Sequence, residues 1–95
     1  MAKRKNAFKR TEFIAYSKNV DVLKMANKLL KSVPLIINFE DYGKIESNQV
    51  ITFLSGVIYA LDGEIEQIQE EIFLFANKED YKDGSLRKFI REHKE

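Results

Sequence analysis

The sequence holds one histidine, His93, and no cysteine. Without Cys there is no thiolate nucleophile, no disulfide and no sulfur-ligated zinc or iron–sulfur site, and an intracellular chain held by packing alone is expected. His93 sits among Lys, Arg and Glu near the end of the chain, where it has neither a Ser and Asp to complete an acyl-transfer triad nor a second imidazole to share a metal. Acids are plentiful, but Asp41, Glu46, Asp62, Glu64, Glu66, Glu70 and Glu71 have neither the spacing of a calcium loop nor that of a carboxylate pair on one face, and they read as a solvated rim. The glycines, at 43, 56, 63 and 84, are too scattered for a phosphate loop. Ser47, Asn48 and Gln49 can meet an anion at a helix start, or Ser47 is a plain N-cap. The expected chemistry is recognition: a non-enzymatic protein with no cofactor, no metal and no small-molecule substrate.

Charge distribution says where that recognition happens. Net charge is only +1, yet residues 1–33 carry nine Lys or Arg against two acids, residues 34–80 carry two against ten, and residues 81–95 carry five against three. The first ten residues hold five cations and no acid, so Lys3, Arg4, Lys5, Lys9 and Arg10, with Phe8 among them, form a basic arm that reads as mobile. Such polarity means either a basic arm for a phosphate-rich partner, an anionic membrane surface or a nucleic acid, or simply two complementary faces of one globule. Residues 47–61, by contrast, contain no charged side chain, although about five would be expected in a chain one-third charged. If this segment is a helix, the side away from its apolar stripe presents Gln49, Thr52, Gly56, Tyr59 and Ala60. Glycine in a helix costs roughly 0.5–1 kcal/mol relative to Ala, which suggests a close backbone approach at Gly56. Charge depletion with Tyr is what an interface core shows. Two readings follow: the chain's own last helix or arm covers this face, or a second copy does.

The elements that position these residues follow from periodicity. At 95 residues there is room for one domain, divided here into a basic arm over 1–10 and an α/β core over 11–95. Phe13, Ile14, Ala15 and Tyr16 form a short apolar run, as in a strand buried on both sides. Val22, Leu23, Ala26, Leu29, Leu30 and Val33 trace one helical face, with Asn19 as a possible cap, and Pro34 marks the stop. Leu35 to Phe39 suit a central strand. Val50, Phe53, Leu54, Val57, Ile58 and Leu61 make the stripe of a second helix over 47–61, closed by Asp62 and Gly63. Strands follow at 64–69 and 72–76, the first with a spacing of Ile65 and Ile68 that suggests a bulge or an exposed edge. Gly84 and Ser85 open a last helix bearing Leu86, Phe89 and Ile90. The order β-α-β-α-β-β-α, with parallel first strands, predicts a two-layer α/β sandwich on one small mixed sheet. No apolar run approaches the ~18 residues of a membrane span, and the N-terminal residues lack the apolar middle of a secretory signal, so a cytoplasmic site is expected.

The string from Phe53 to Ala60, Phe-Leu-Ser-Gly-Val-Ile-Tyr-Ala, followed by Gly63-Glu64-Ile65 and Ile72-Phe73-Leu74, resembles the core domain of the SepF family of cell-division proteins. So does the run from Val33 to Phe39. The resemblance extends from about Phe13 to Ile90, with Asp62 where the family often has the first of two glycines. It implies a septum-associated adaptor that binds the C-terminal tail of FtsZ, the tubulin-like ring protein, and helps organise or tether the ring at the membrane. It also implies a homodimer able to polymerise, with Gly56 at a helix-to-helix contact between subunits, and tail binding near Ser47 and Phe73. A small nucleic-acid-binding module using the basic arm is the alternative, against which stand the acidic middle of the chain and the lack of a recognisable binding motif.

Overall fold

The computed structural model describes residues 5–95. Its elements are α1 (Ala7–Arg10), β1 (Glu12–Ala15), α2 (Val22–Leu30), β2 (Leu35–Asn38), α3 (Lys44–Ala60), β3 (Glu64–Gln69), β4 (Ile72–Ala76), a 3₁₀ turn (Lys78–Tyr81) and α4 (Ser85–His93). The four strands form one mixed sheet in the order β1-β2-β4-β3. β1 runs parallel to β2, as the strand–helix–strand pattern predicts, while β4 is antiparallel to both β2 and β3. The two central strands are the two with unbroken apolar runs, Leu35-Ile36-Ile37 and Leu74-Phe75-Ala76, all buried. Alternation then sends side chains to both faces. Leu35, Ile37 and Phe75 meet Met25, Leu29, Leu54 and Ile58 of α2 and α3, giving the two-layer α/β body. Ile36, Leu74 and Ala76 face the other way, against Ala7, Tyr81 and Leu86, so the short helices α1 and α4 cover part of the second face.

Several local expectations change. The arm is not mobile over Ala7–Arg10, which is a helix docked on α4. Asn6 caps it by accepting from the Lys9 N–H at 2.8 Å, the Ala7 N–H donates to Asp83 Oδ2 at 2.8 Å, and the Phe8 N–H donates to Ser85 Oγ at 2.9 Å. Phe8 stacks on Phe89 with centroids 5.2 Å apart, and the Arg10 guanidinium pairs with the Asp80 carboxylate. These partners lie some 70 residues away in sequence, beyond the reach of any local signal. β1 is an edge strand with Phe13 62% exposed, rather than a strand buried on both sides. A four-residue apolar run cannot by itself distinguish the two. Asp21, not Asn19, caps α2, accepting from the Leu23 N–H at 2.9 Å. In α2 the buried face holds Met25, Ala26 and Leu29, leaving Leu23 and Leu30 exposed. α3 begins at Lys44, one turn earlier than expected, so Ser47 lies buried inside the helix instead of capping it. Acidic Glu46 in that first turn suits the positive end of the helix dipole. The expected irregularity in β3 is present as a register shift between Gln67 and Gln69.

The exit from α3 is the tightest point of the fold. Asp62 takes a left-handed conformation with φ of 52°, and the Gly63 N–H reaches back to the Ile58 carbonyl at 2.9 Å. A Cβ on Gly63 would stand 2.2 Å from the carbonyl oxygen of Ala76, a backbone atom of β4 that cannot swing aside. Gly63→Ala is therefore expected to lower unfolding free energy by about 1–3 kcal/mol, read from the urea midpoint.

α4 is anchored through Tyr81. Its hydroxyl donates to the Glu64 carbonyl at 2.9 Å, and Arg87 lies 4.4 Å over its ring while pairing with both carboxylate oxygens of Glu64 at 2.8–2.9 Å. Burial first, and the Glu64 carboxylate second, push the phenol far above its ordinary value of 10.0. The folded chain holds this proton where the unfolded chain releases it. The associated stability is whole below pH 10.0 and is lost as pH rises above it. Tyr81→Phe should cost about 1 kcal/mol at neutral pH and make the alkaline decline in urea midpoint shallower than in the wild type.

Candidate binding surfaces

One cavity gathers residues from three elements. α3 contributes Lys44, Ser47, Asn48 and Ile51 from its first two turns, β2 is followed by Phe39 and Tyr42, and Glu70, Glu71 and Phe73 come from the β3–β4 turn and the start of β4. The cavity is open to solvent and holds about 270 Å³. Its base is aromatic: Phe39 is buried, meets Phe73 edge-on with centroids 6.1 Å apart, and packs on Tyr16. Tyr16 in turn touches the Tyr42 ring at 4.7 Å. Burial, then the neighbouring Tyr42 and Asp21, raise the Tyr16 phenol above its usual range, so it stays neutral. The β3–β4 turn is held against the end of β2 by the Phe39 N–H, which donates to the Glu71 carbonyl at 2.8 Å. Ser47 is 6% exposed, and its hydroxyl has no hydrogen-bond partner among the described residues. Thus Ser47 and Phe73, distant in sequence, line one cavity. Phe39, Tyr42 and Ile51 complete it and were not singled out from sequence, because apolar residues at strand ends and on helix stripes look the same whether they line a core or a cavity.

The second surface is the outer side of α3. Gln49, Thr52, Gly56, Tyr59 and Ala60 are all exposed, Tyr59 at 85%. A Cβ on Gly56 would meet nothing within 4 Å. α1 and α4 pack on the opposite face of the sheet, so neither the chain's own last helix nor the described part of its arm covers these residues. Phe53, read as part of the buried stripe, is 43% exposed beside them, and Ile45 is exposed as well.

The basic arm is a reduced surface. Lys3 and Arg4 lie outside the described residues. Lys5 and Lys9 are exposed, but Phe8 is stacked on Phe89 and Arg10 is engaged by Asp80 and by the Ser32 carbonyl at 3.1 Å. Among the described residues no group of three or more His, Cys, Asp or Glu could hold a metal ion, and no helix is long and apolar enough to cross a membrane.

Residues 14–79, from the middle of β1 to the 3₁₀ turn, match the family model described as cell division protein SepF. The chain belongs to the SepF family. Its relatives include the cell division protein SepF of Lacticaseibacillus casei, 31% identical over 86 residues that make up 88% of this chain and 57% of that protein. The SepF protein of Lactiplantibacillus plantarum is 43% identical over 54 residues, 57% of this chain and 39% of the relative. That of Caldanaerobacter subterraneus is 44% identical over 55 residues, 58% and 41%. The chain thus spans between two fifths and three fifths of the length of these relatives. Membership places the chain in cell division and septation.

Proposed function

We propose that this chain is a non-enzymatic division adaptor that docks the C-terminal tail of FtsZ in the cavity at the start of α3 and self-associates through the outer face of the same helix. The observation that carries the reading is the meeting of Ser47 and Phe73, the two positions that the family resemblance implicates in tail binding, in a single open cavity with an aromatic base. An extended tail can seat an apolar side chain there, since peptide grooves combine apolar pockets with a few polar groups. The outer face of α3 supports the second half: it is uncharged, exposed and not covered by any of the described residues, and its exposed Gly56 lets another backbone approach. A dimer built this way would present two cavities and bind filaments by avidity. Attachment to an anionic membrane at the division site rests on Lys5 and Lys9, together with Lys3 and Arg4, each cation worth about 1 kcal/mol near the surface. The nucleic-acid alternative is weakened by the engagement of Arg10 with Asp80. Parallel titrations of the full chain with an FtsZ tail peptide, with DNA and with anionic vesicles separate these readings: saturable binding of the tail peptide supports the adaptor, and binding of DNA alone contradicts it.

A further inference from the structure

The two edges of the sheet differ in how they are finished. β3 is closed: its register is broken between Gln67 and Gln69, Arg87 and Lys94 pair with Glu64 and Glu66, and the Glu95 N–H donates to the Ile68 carbonyl at 3.0 Å. Bulges, charges and a covering segment are the ordinary means of keeping an edge from pairing. β1, at the other edge, has none of these over Phe13, Ile14 and Ala15. The Glu12 N–H donates to the Pro34 carbonyl at 3.0 Å and the Tyr16 N–H to the Asn38 carbonyl at 2.9 Å, so the even-numbered residues turn their backbone groups towards β2. By the alternation of a strand, Phe13 and Ala15 turn theirs outward, and no hydrogen bond among the described residues reaches them there. Phe13 is 62% exposed, and Ala15 is exposed beside it.

We propose that β1 pairs antiparallel with β1 of a second copy about a two-fold axis at Ile14, joining two sheets edge to edge. That register sets Phe13 opposite Ala15 of the other copy. These are the residues whose backbone groups point outward, so each such pair exchanges both of its N–H···O bonds, and the axis repeats the pair. A large side chain also meets a small one. Phe13 leans over Ala15 of the other copy at the mouth of an apolar cavity of about 420 Å³, lined by Phe13, Ala15, Ile36, Ile72 and Phe89 on the second face of the sheet. Charge favours the same direction: Glu12 begins the strand and exposed Lys18 lies just past its end, so antiparallel pairing brings unlike charges together where parallel pairing would bring like ones. A foreign strand would have to supply the bulky group and the matching charge, whereas a second copy carries both. So short an edge buries less than the roughly 1,000 Å² of a stable interface, and the contact is a weak one. Combined with a separate two-fold contact on the outer face of α3, it builds an open row of subunits instead of a closed dimer. The row rests on the proposed α3 contact; the pairing of β1 does not.

The natural chain has no cysteine, so single-cysteine variants report the register. Full-length Ile14→Cys and Glu12→Cys are oxidised at several concentrations, and covalent dimer is read on a non-reducing gel. About the axis the two copies of position 14 have Cα atoms about 4.5 Å apart, within disulfide reach, while the two copies of position 12 are offset by roughly 13 Å along the strands and cannot be bridged. Ile14→Cys is expected to cross-link at least tenfold faster than Glu12→Cys. Adding Ala15→Pro, which removes an outward N–H and leaves the ladder to β2 intact, is expected to slow it at least tenfold, with the folds checked by circular dichroism. Equal rates at positions 12 and 14, or a rate indifferent to Ala15→Pro, would overturn the inference. Preference for position 14 is expected to persist with Gly56→Lys, so that failure of the α3 contact leaves the β1 pairing standing. Ala15→Pro in the natural chain gives a reading that does not depend on the cysteine variants folding: growth of the light-scattering mass beyond a dimer at high concentration is expected in the wild type and lost in the variant, and growth unchanged by the substitution would overturn the pairing.

Discussion

Gly56→Lys should lower the mass seen in light scattering towards the 11.1 kDa of the single chain if the outer face of α3 is the subunit contact proposed above. The fold itself has no reason to suffer. Gly56 is exposed, nothing lies within 4 Å of its missing Cβ, and Lys is the better helix former by roughly 0.5–1 kcal/mol. The association has every reason to suffer, because an ammonium group in the middle of an uncharged contact must be desolvated without a partner and its side chain holds the two backbones apart. A loss of about 3 kcal/mol corresponds to more than a hundredfold in the dissociation constant. Unchanged mass in the variant would show that the exposed face of α3 is not the contact, whatever else the chain does. An unchanged circular-dichroism spectrum in the variant would show that the fold of the single chain is intact, while a melting temperature that no longer rises with protein concentration would mark the lost association.

The second large effect is expected in the cavity. Asn48 is exposed on its wall, so Asn48→Trp fills the space while leaving the core alone. Phe73→Ala removes part of the aromatic base, at some cost to stability because Phe73 packs on Phe39 and Phe75. Both are expected to weaken binding of the tail peptide by about tenfold or more, since truncating or blocking a buried aromatic anchor typically costs at least 1–2 kcal/mol of binding free energy. The filled variant guards against misreading the truncated one: a loss seen only in Phe73→Ala would point to a damaged fold, and a loss in both points to the cavity.

Much of this architecture is legible in the sequence where pattern and structure share one cause. The apolar runs at 35–37 and 74–76 are continuous because those strands are central and covered on both faces. The break in alternation at Ile65 and Ile68 is the register shift in β3. The uncharged segment 47–61 is the helix whose outer face stands bare. What the pattern leaves out is direction. The stripe on α2 is real, but only the sheet decides that Met25 turns inward and that Leu23 and Leu30 turn out. Phe53 reads as core by spacing, yet it is 43% exposed. α1 is invisible for a different reason: four residues, two of them basic, make no helix alone, and this one exists through Asp83, Ser85 and Phe89. The site shows the same division. Ser47 and Phe73 are paired only by family resemblance, since neither composition nor spacing brings residues so far apart in the chain together. The acidic middle of the chain reads as a solvated rim, and part of that rim borders the cavity.

The central claim, that the cavity at the start of α3 is the dock for the FtsZ tail, is tested most directly by titrating the tail peptide into the full chain and its Asn48→Trp variant by isothermal calorimetry. Saturable binding to the wild type that weakens at least tenfold in the filled variant is the predicted result. No heat with the wild type, or equal affinity for both proteins, would contradict it.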